Sequence, residues 1–519
     1  METKEFILAM YDVSGIQDFI FSSTKLKDNI GASVMVQHIL ETDLVEALKK
    51  LSGWMTDWKS AKTFEMMKAS SNLNAEVIYI GGGNALVAYD SENSYKEATK
   101  NLSSLVFEKS RGMLKVVSAF IKTDGKHFAQ DRKKLFEKLR TNKMMVYSSV
   151  PLSGIAINQS SPADGLPAIK KEKQESLSTA TEKKREYEEK TNYEKDLDIT
   201  KSLPKEFDDI NKSDSKKYIG VVHIDGNNMG AGIEKYISQF DNYNDAVQAL
   251  RTLSNAISEH YKSAMKATCD FVDSKVTSGL KNELDTAYDI PLRIIVLNGD
   301  DITFVTHGFL AMAVTEFFLR KVEETPLNLG NETMPVSACA GIAIVKSHFP
   351  FFRAYQLAEE LAGLAKKKAK AINYENPGSW MDVQVIQTGI TTEIEKIRKS
   401  AYNLPGKELT PLKNEMNITS ERYNLIMRPW SVSERYTSEL FSFDNFKRSI
   451  KEFSSWPRSR RKNLRNAYMT SVNEVMFTIE KSKSRGYGLP KFADAENGFT
   501  DEGQSPYFDA LELQDYFVE

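Results

Sequence analysis

The sequence predicts an α+β chain. Two split βαβ sheets of the ferredoxin or palm type follow one another, and a helical segment closes the C-terminus. Three observations carry that prediction. Two strand-turn-helix openings end their strands on an aspartate, Asp12 and Asp225. Two glycine-tipped hairpins follow, Gly81-Gly82-Gly83-Asn84 and Asn298-Gly299-Asp300-Asp301. The matching segments keep a nearly constant offset of roughly 215 to 225 residues, which chance similarity would not maintain.

The first copy is assigned to residues 1–150. Phe6 to Tyr11 reads as a buried strand ending at Asp12, Ser14-Gly15 as a turn, and Ile16-Gln17 as a helix start. Val77 to Tyr89 reads as a hairpin, Val116 to Phe120 as a further strand, and a helix starts at Phe128. Residues 151–216 are assigned as a charged linker or helical insert, since Ile169 to Lys217 is rich in charge and poor in apolar side chains, as in Lys171-Glu172-Lys173-Gln174-Glu175, and reads as a solvated helix or mobile linker. Within them Ser153-Gly154-Ile155-Ala156-Ile157 imitates Ala340-Gly341-Ile342-Ala343-Ile344, but it breaks the offset and is set aside.

The second copy is assigned to residues 217–390. Tyr218 to Ile224 forms the strand that ends at Asp225, and Gly226-Asn227-Asn228-Met229-Gly230 turns into a helix. Asn298-Gly299 between two β-branched runs is a hairpin signal, because both residues tolerate positive φ. Val336 to Ala340 and a helix from Phe352 complete the repeat. Residues 391–519 turn helical and aromatic-rich without a recognisable catalytic motif.

Net charge is −2 with 27% charged residues, so global electrostatics select no polyanionic partner. Cys269 and Cys339 are the only cysteines, which excludes a four-cysteine zinc site and a disulfide framework. No apolar run is long enough to span a bilayer and no signal segment opens the chain, so a soluble cytoplasmic protein without membrane contact is expected. The six histidines include no His-Asp pair, which argues against a His-Asp hydrolase module.

The chemistry is expected in the second copy. Adjacent aspartates at a hairpin tip repel each other unless a cation lies between them or one is protonated. Asp225, Asp300 and Asp301 are therefore the candidate catalytic carboxylates, Asp225 and Asp300 expected to face each other on adjacent strands with Asp301 supporting, and with Ile224 they are the candidate ligands of two Mg²⁺ or Mn²⁺ ions. The turn Gly226-Asn227-Asn228, with Gly299, offers backbone N–H groups to phosphates, and Lys366 near the end of an amphipathic helix can reach a triphosphate. In the first copy Gly83-Asn84 stands where Asp300-Asp301 stand in the second, so that copy is expected to be catalytically weak. Its Asp12, Ser14, Gly15, Gly82 and Gly83 are candidates for holding a second nucleotide across a composite site. Ser455-Trp456-Pro457-Arg458-Ser459-Arg460-Arg461-Lys462 reads as a solvated basic helix start beside a buried Trp, with RNA contact as the alternative.

Taken together, the motifs resemble the signature large subunit of type III CRISPR complexes, the palm polymerase and cyclase family that includes cyclic oligoadenylate synthetases. Asp12-Val13-Ser14-Gly15-Ile16-Gln17 looks like that family's first-palm opening and Gly81-Gly82-Gly83-Asn84 like its degenerate hairpin. Asp225-Gly226-Asn227-Asn228-Met229-Gly230 and Asn298-Gly299-Asp300-Asp301 look like the second-palm motifs, the latter a variant of Gly-Gly-Asp-Asp with Asn298 replacing a glycine. The helix from Ala358-Glu359 to Lys366 is also similar to one in GGDEF diguanylate cyclases. The resemblance implies two nucleotidyl cyclase-type palms and an enzyme making a short cyclic or linear oligonucleotide second messenger from nucleoside triphosphates. It further implies a role in antiviral defence, a downstream effector protein that responds to the product, and an RNA or nucleotide activator; a homo-oligomer is also open. Without the His-Asp nuclease domain the chain looks like a compact stand-alone relative. The alternatives are a non-catalytic nucleotide-sensing subunit and a subunit of a CRISPR ribonucleoprotein.

Overall fold

A computed structural model describes residues 4–518 apart from residues 24, 147–156, 173, 191, 212–216, 330–331, 388–392, 406–421, 434–435, 437–439 and 493–494. All but the last residue of the Ser153–Ile157 imitation lie outside the described residues. The first palm runs β1 (Phe6–Ser14), α1 (Ile16–Ile20), α2 (Leu26–His38), β2 (Ala75–Gly81), β3 (Asn84–Tyr89), α3 (Glu92–Ser110), β4 (Lys115–Thr123) and α4 (Phe128–Met144). Its sheet has the order β2-β3-β1-β4, with the two-residue strand Trp54–Met55 outside β2. β1 is buried almost throughout because strands flank it on both edges and helices cover the sheet, which explains its continuous apolar run.

The charged segment after the first palm corrects the expectation of a solvated or mobile linker. Its helix α5 (Thr179–Lys190) packs on α2 so closely that a Cβ on Gly31 would lie 1.7 Å from the Lys184 carbonyl oxygen. Lys184 is wholly buried and donates to the Phe19 carbonyl and Ser22 Oγ, both at 2.6 Å. Arg185 donates to Asp28 at 2.8 Å. A charge-rich helix can be buried when each charge finds a partner, and composition alone does not reveal the partners.

The second palm repeats the first: β5 (Tyr218–Gly226), α6 (Met229–Ile237), α7 (Tyr243–Lys275), β6 (Leu292–Asn298), β7 (Asp301–His307), α8 (Ala311–Glu324), β8 (Ala338–Lys346) and α9 (Phe351–Ile372). The order β6-β7-β5-β8 is that of the first sheet, and β9 (Trp380–Val385) then adds parallel to β8. Asp12 faces Asn84 as Asp225 faces Asp301. The offsets are 213 from Asp12 to Asp225 and 217 from Asn84 to Asp301.

The palms meet face to face about a pseudo-two-fold axis. Gly82 and Gly299 are equivalent positions and lie close together, a Cβ added to Gly299 falling 3.9 Å from Gly82 Cα. Phe21 stacks on Tyr355 with ring centroids 3.9 Å apart. The equivalent positions in the opposite palms, Glu234 and Arg132, form an ion pair at 2.7 Å. This exchange of roles is the mark of an isologous interface. Arg251 of α7, itself buried, reaches into the first palm to bond Glu76 at 3.0 Å and the Val77 carbonyl at 2.9 Å.

The C-terminal part contains α10 (Phe443–Ser454), α11 (Arg458–Tyr468), α12 (Val472–Lys483) and α13 (Phe508–Leu513), and it shares one core with the second palm. It also lends the strand β10 (Trp430–Ser431) to the sheet beside β9. Arg428, wholly buried, anchors it to α13 through Asp509 at 3.0 Å and Glu512 at 2.7 Å. Among the described residues no helix is long and apolar enough to cross a membrane.

Candidate active site

Asp225 is the last but one residue of β5 and Asp301 begins β7, directly across the antiparallel ladder, so their side chains leave the same face of the sheet. The hairpin centre differs from the expected Asn298-Gly299. Asn298 pairs with Asp301, which puts Gly299 and Asp300 at the two central positions. Gly299 has φ +60°, while Asp300 does not take a positive φ, the pattern of a II′-type turn with glycine first. In the first palm both central residues, Gly82 and Gly83, have positive φ, as a I′-type turn requires. Having a Cβ at the second position therefore changes the turn and directs the Asp300 side chain onto Gly226. A Cβ on Gly226 would lie 2.7 Å from Asp300 Oδ2.

Asp301 is pushed up to about 7 by desolvation and by the charges of Asp225 and Asp300, although 56% of its side chain remains open to solvent. Asp300 is raised by the same two causes, desolvation first and Asp225 second. Behind them, Tyr261 Oη is buried without a hydrogen-bond partner among the described residues, and burial together with the charges of Asp300 and Asp225 raises its pKa. His223 is drawn down to about 4 by burial, so it is neutral at physiological pH and bonds Thr303 at 3.3 Å. The Ile224 side chain is fully buried, which leaves that residue only its main chain as a donor.

The turn after Asp225 is more fully bonded than the sequence suggested. The N–H of Gly226 donates to the Asp300 carbonyl at 3.2 Å and that of Asn227 to the Ser337 carbonyl at 2.8 Å. The Asn227 amide ties the turn to the Gly378 carbonyl at 2.9 Å, and the Asn228 amide holds the Tyr374 carbonyl at 2.8 Å. Gly226, Asn227 and Asn228 therefore shape the turn rather than expose it. The N–H groups of Met229, Gly230 and Ala231 precede the first bond of α6, from Gly232 to Asn228, and they form the open helix end. Asn228 takes the left-handed conformation at φ +54°, as does its equivalent Gly15 at φ +84°.

Lys366 lies on Asp225 Oδ2 at 2.5 Å and on the Gly226 carbonyl at 2.8 Å rather than projecting into open space. The first palm shows the same contact, which sequence reasoning missed: Lys143 of α4 meets Asp12 at 2.5 Å. The offset of 223 from Lys143 to Lys366 lies within the range of the repeat and could have revealed it. Asn84, in place of a second carboxylate, bonds Tyr79 Oη. Ser14 and Gly15 stand at the end of β1 and the start of α1, two residues before Gln17, whose amide donates across the palm interface to Glu359 at 2.6 Å. The structure thus gathers Asp225, Asp300, Asp301 and Lys366 in the second palm, and Asp12, Ser14 and Gly15 in the first, with the glycine tips between the two palms.

Residues 218–373 match the family of the Cas10/Cmr2 second palm domain. They contain the second-palm motifs of the resemblance to the type III CRISPR large subunit, Asp225 to Gly230 and Asn298 to Asp301, and that resemblance is borne out. Solved structures extend the likeness of fold over nearly the whole chain. Csm1 in T. onnurineus is 14% identical, with a TM-score of 0.55 over 98% of this chain and 69% of its own. A Csm1–Csm4 cassette in complex with one ATP gives 0.55 at 14% identity over 99% and 70%, and one in complex with pppApApA gives 0.55 at 13% over 99% and 69%. No curated protein matches the chain in sequence. The mixed α+β architecture with two palms is thus that of Csm1-like chains.

Among the described residues no group of three or more His, Cys, Asp or Glu side chains is arranged to hold a metal ion. The donor set nevertheless suits a hard divalent cation: Asp225 and Asp301 oppose each other with Asp300 at the tip, the pKa values of Asp300 and Asp301 are both raised, and a lysine ammonium already sits on Asp225.

Proposed function

We propose that this chain is a metal-dependent nucleotidyltransferase of the type III CRISPR-like palm class. It joins nucleoside triphosphates into a short cyclic or linear oligonucleotide and releases pyrophosphate. The observation that carries the reading is Asp225 opposed to Asp301, with Asp300 folded onto Gly226 between them. Mg²⁺ or Mn²⁺ held by these carboxylates supplies charge neutralisation for the triphosphate and a lower pKa for the attacking hydroxyl. The open N–H groups of Met229 to Ala231 face phosphate oxygens at a helix N-terminus. Lys366, released from Asp225, becomes a phosphate ligand. The first palm, with Asp12 neutralised by Lys143 and no second carboxylate, holds the other nucleotide through its Ser14-Gly15 turn rather than reacting with it. The solved relatives were captured with ATP and with linear and cyclic oligoadenylates, which supports this substrate class. An effector protein that senses the product, in antiviral defence, belongs to the same proposal.

The test is incubation with each NTP and dNTP plus Mg²⁺ or Mn²⁺, with and without phage-derived nucleic acid, read by mass spectrometry. Loss of all product in Asp300→Ala with nucleotide binding retained supports the reading; no product under any condition sinks it. A second reading, a subunit of a CRISPR ribonucleoprotein, is favoured by the relatives solved as Csm1–Csm4 assemblies, and RNA co-purifying with the chain would reveal it.

A further inference from the structure

The chain is balanced in charge overall, yet residues 455–485 hold eight Lys and Arg against two Glu. Helices α11 and α12 lie side by side there and enclose a groove of about 520 Å³. One face of α11 supplies Arg460 and Asn463, and the facing side of α12 supplies Phe477, Thr478 and Lys481, with Arg485 just beyond its end. Glu474 is the one carboxylate in the lining.

Helix stability does not explain this pattern. The first turn of α11 has no acidic residue, and Arg458, Arg460, Arg461 and Lys462 crowd the helix end that carries positive dipole charge. Arg458 and Arg461, and Arg461 and Arg465, are like charges at helical neighbour spacings, which weakens the helix further. Other contacts take up little of the charge. Arg458 has a distant exposed partner in Asp515 at 3.7 Å and Lys483 pairs with Glu480 at 3.0 Å. Among the described residues no carboxylate pairs with Arg460, Lys481 or Arg485. The Arg460 guanidinium is instead fixed over the Tyr487 ring at 4.8 Å. Phe477 lines the same groove with 63% of its surface exposed, and the Lys481 ammonium lies 5.9 Å from its ring centre.

We propose that the α11–α12 groove binds single-stranded nucleic acid. Arg460, Lys481 and Arg485 meet the phosphates, Asn463 and Thr478 offer hydrogen bonds, and Phe477 stacks on an unpaired base. Cations alone would fit any polyanion. An exposed ring in a polar cleft adds a π-face that only an unpaired base can use, which favours a single strand over a duplex or an acidic peptide. The site is remote from the palm carboxylates in sequence and independent of the proposed chemistry.

The test uses the full chain and fluorescence anisotropy with labelled 15-nucleotide single strands of RNA and of DNA, a blunt duplex, and polyglutamate as competitor. Binding of a single strand in preference to the duplex is expected, and comparison of the RNA and DNA arms identifies which is preferred. Phe477→Ala should weaken binding about 10-fold, the loss of one stacked base. The triple variant Arg460→Ala/Lys481→Ala/Arg485→Ala should lower the slope of log K against log salt by about 2, the release expected from three phosphate contacts. All these side chains are at the surface, and an unchanged melting curve confirms folding. Equal binding by wild type, Phe477→Ala and the triple variant overturns the proposal. Equal affinity for duplex and single strand, or displacement by polyglutamate as effective as by nucleic acid, overturns it too.

Discussion

Replacing Gly226 by alanine tests whether the Asp300 carboxylate must lie where the turn places it. The new Cβ would meet Asp300 Oδ2 at 2.7 Å, Asp300 Cβ at 2.8 Å and Met229 Cγ at 2.9 Å, where ordinary contacts begin at 3.4 Å. The carboxylate must therefore retreat by about 0.7 Å, since the backbone of Gly226 is fixed by its bond to the Asp300 carbonyl. Overpacking of this kind costs about 1–3 kcal/mol of stability, and the fold survives it. A displacement approaching 1 Å at a reacting centre costs on the order of 100-fold in rate. The control is Gly363→Ala on α9, between Glu359 and Lys366, where an added Cβ meets nothing within 4 Å. That variant should gain up to about 1 kcal/mol from helix propensity and keep full activity. Turnover of labelled nucleoside triphosphates and thermal melting read both variants. If Gly226→Ala turns over within a few-fold of wild type with an unchanged melting point, the packing of Asp300 onto Gly226 has no catalytic meaning and the reasoning fails.

Lys143→Ala removes the cation from Asp12, whose side chain is only 18% exposed, and should cost about 1–3 kcal/mol, the penalty of a largely buried polar group left unpaired. If the first palm holds a nucleotide, initial-rate kinetics should show a raised KM with metal dependence unchanged; an unaltered KM would take Asp12 out of the site. Burial holds Lys184 at about 8 against its ordinary 10.5. Its contribution to stability is thus absent below pH 8, grows as pH rises through 8, and is complete above 10.5. Urea unfolding of wild type minus Lys184→Met should shift by up to about 3 kcal/mol across that window, and a flat difference would contradict the burial. Arg251→Met leaves Glu76 charged and buried in the palm interface and should cost about 3–5 kcal/mol in urea unfolding, part of which Glu76→Gln restores in the double variant.

Hairpins, strand ends and the tandem repeat were legible because they are local. Glycine at a tip, an apolar run ending in aspartate and a fixed offset need no tertiary information, and the expected match of Gly83-Asn84 to Asp300-Asp301 is realised in the ladders; the partner expected across from Asp225 was Asp300, whereas the register puts Asp301 there and Asp300 in the turn. The Asn298-Gly299 turn was read one residue early because strand register, rather than dipeptide preference, sets the turn centre. The charged segment was misread because the partners of Lys184 and Arg185 lie on α1 and α2, more than 150 residues away.

The sequence by itself determined which palm carries carboxylates, since a Gly83-Asn84 tip cannot become an acidic one whatever the fold. Only the tertiary structure decided what those carboxylates touch. Lys366 on Asp225, Lys143 on Asp12, Gln17 on Glu359 and the meeting of Gly82 with Gly299 all join residues far apart in the chain. Such contacts follow from the pseudo-two-fold packing of two sheets. Burial of their faces drives that packing, and its register is set by interdigitating side chains that no local pattern encodes.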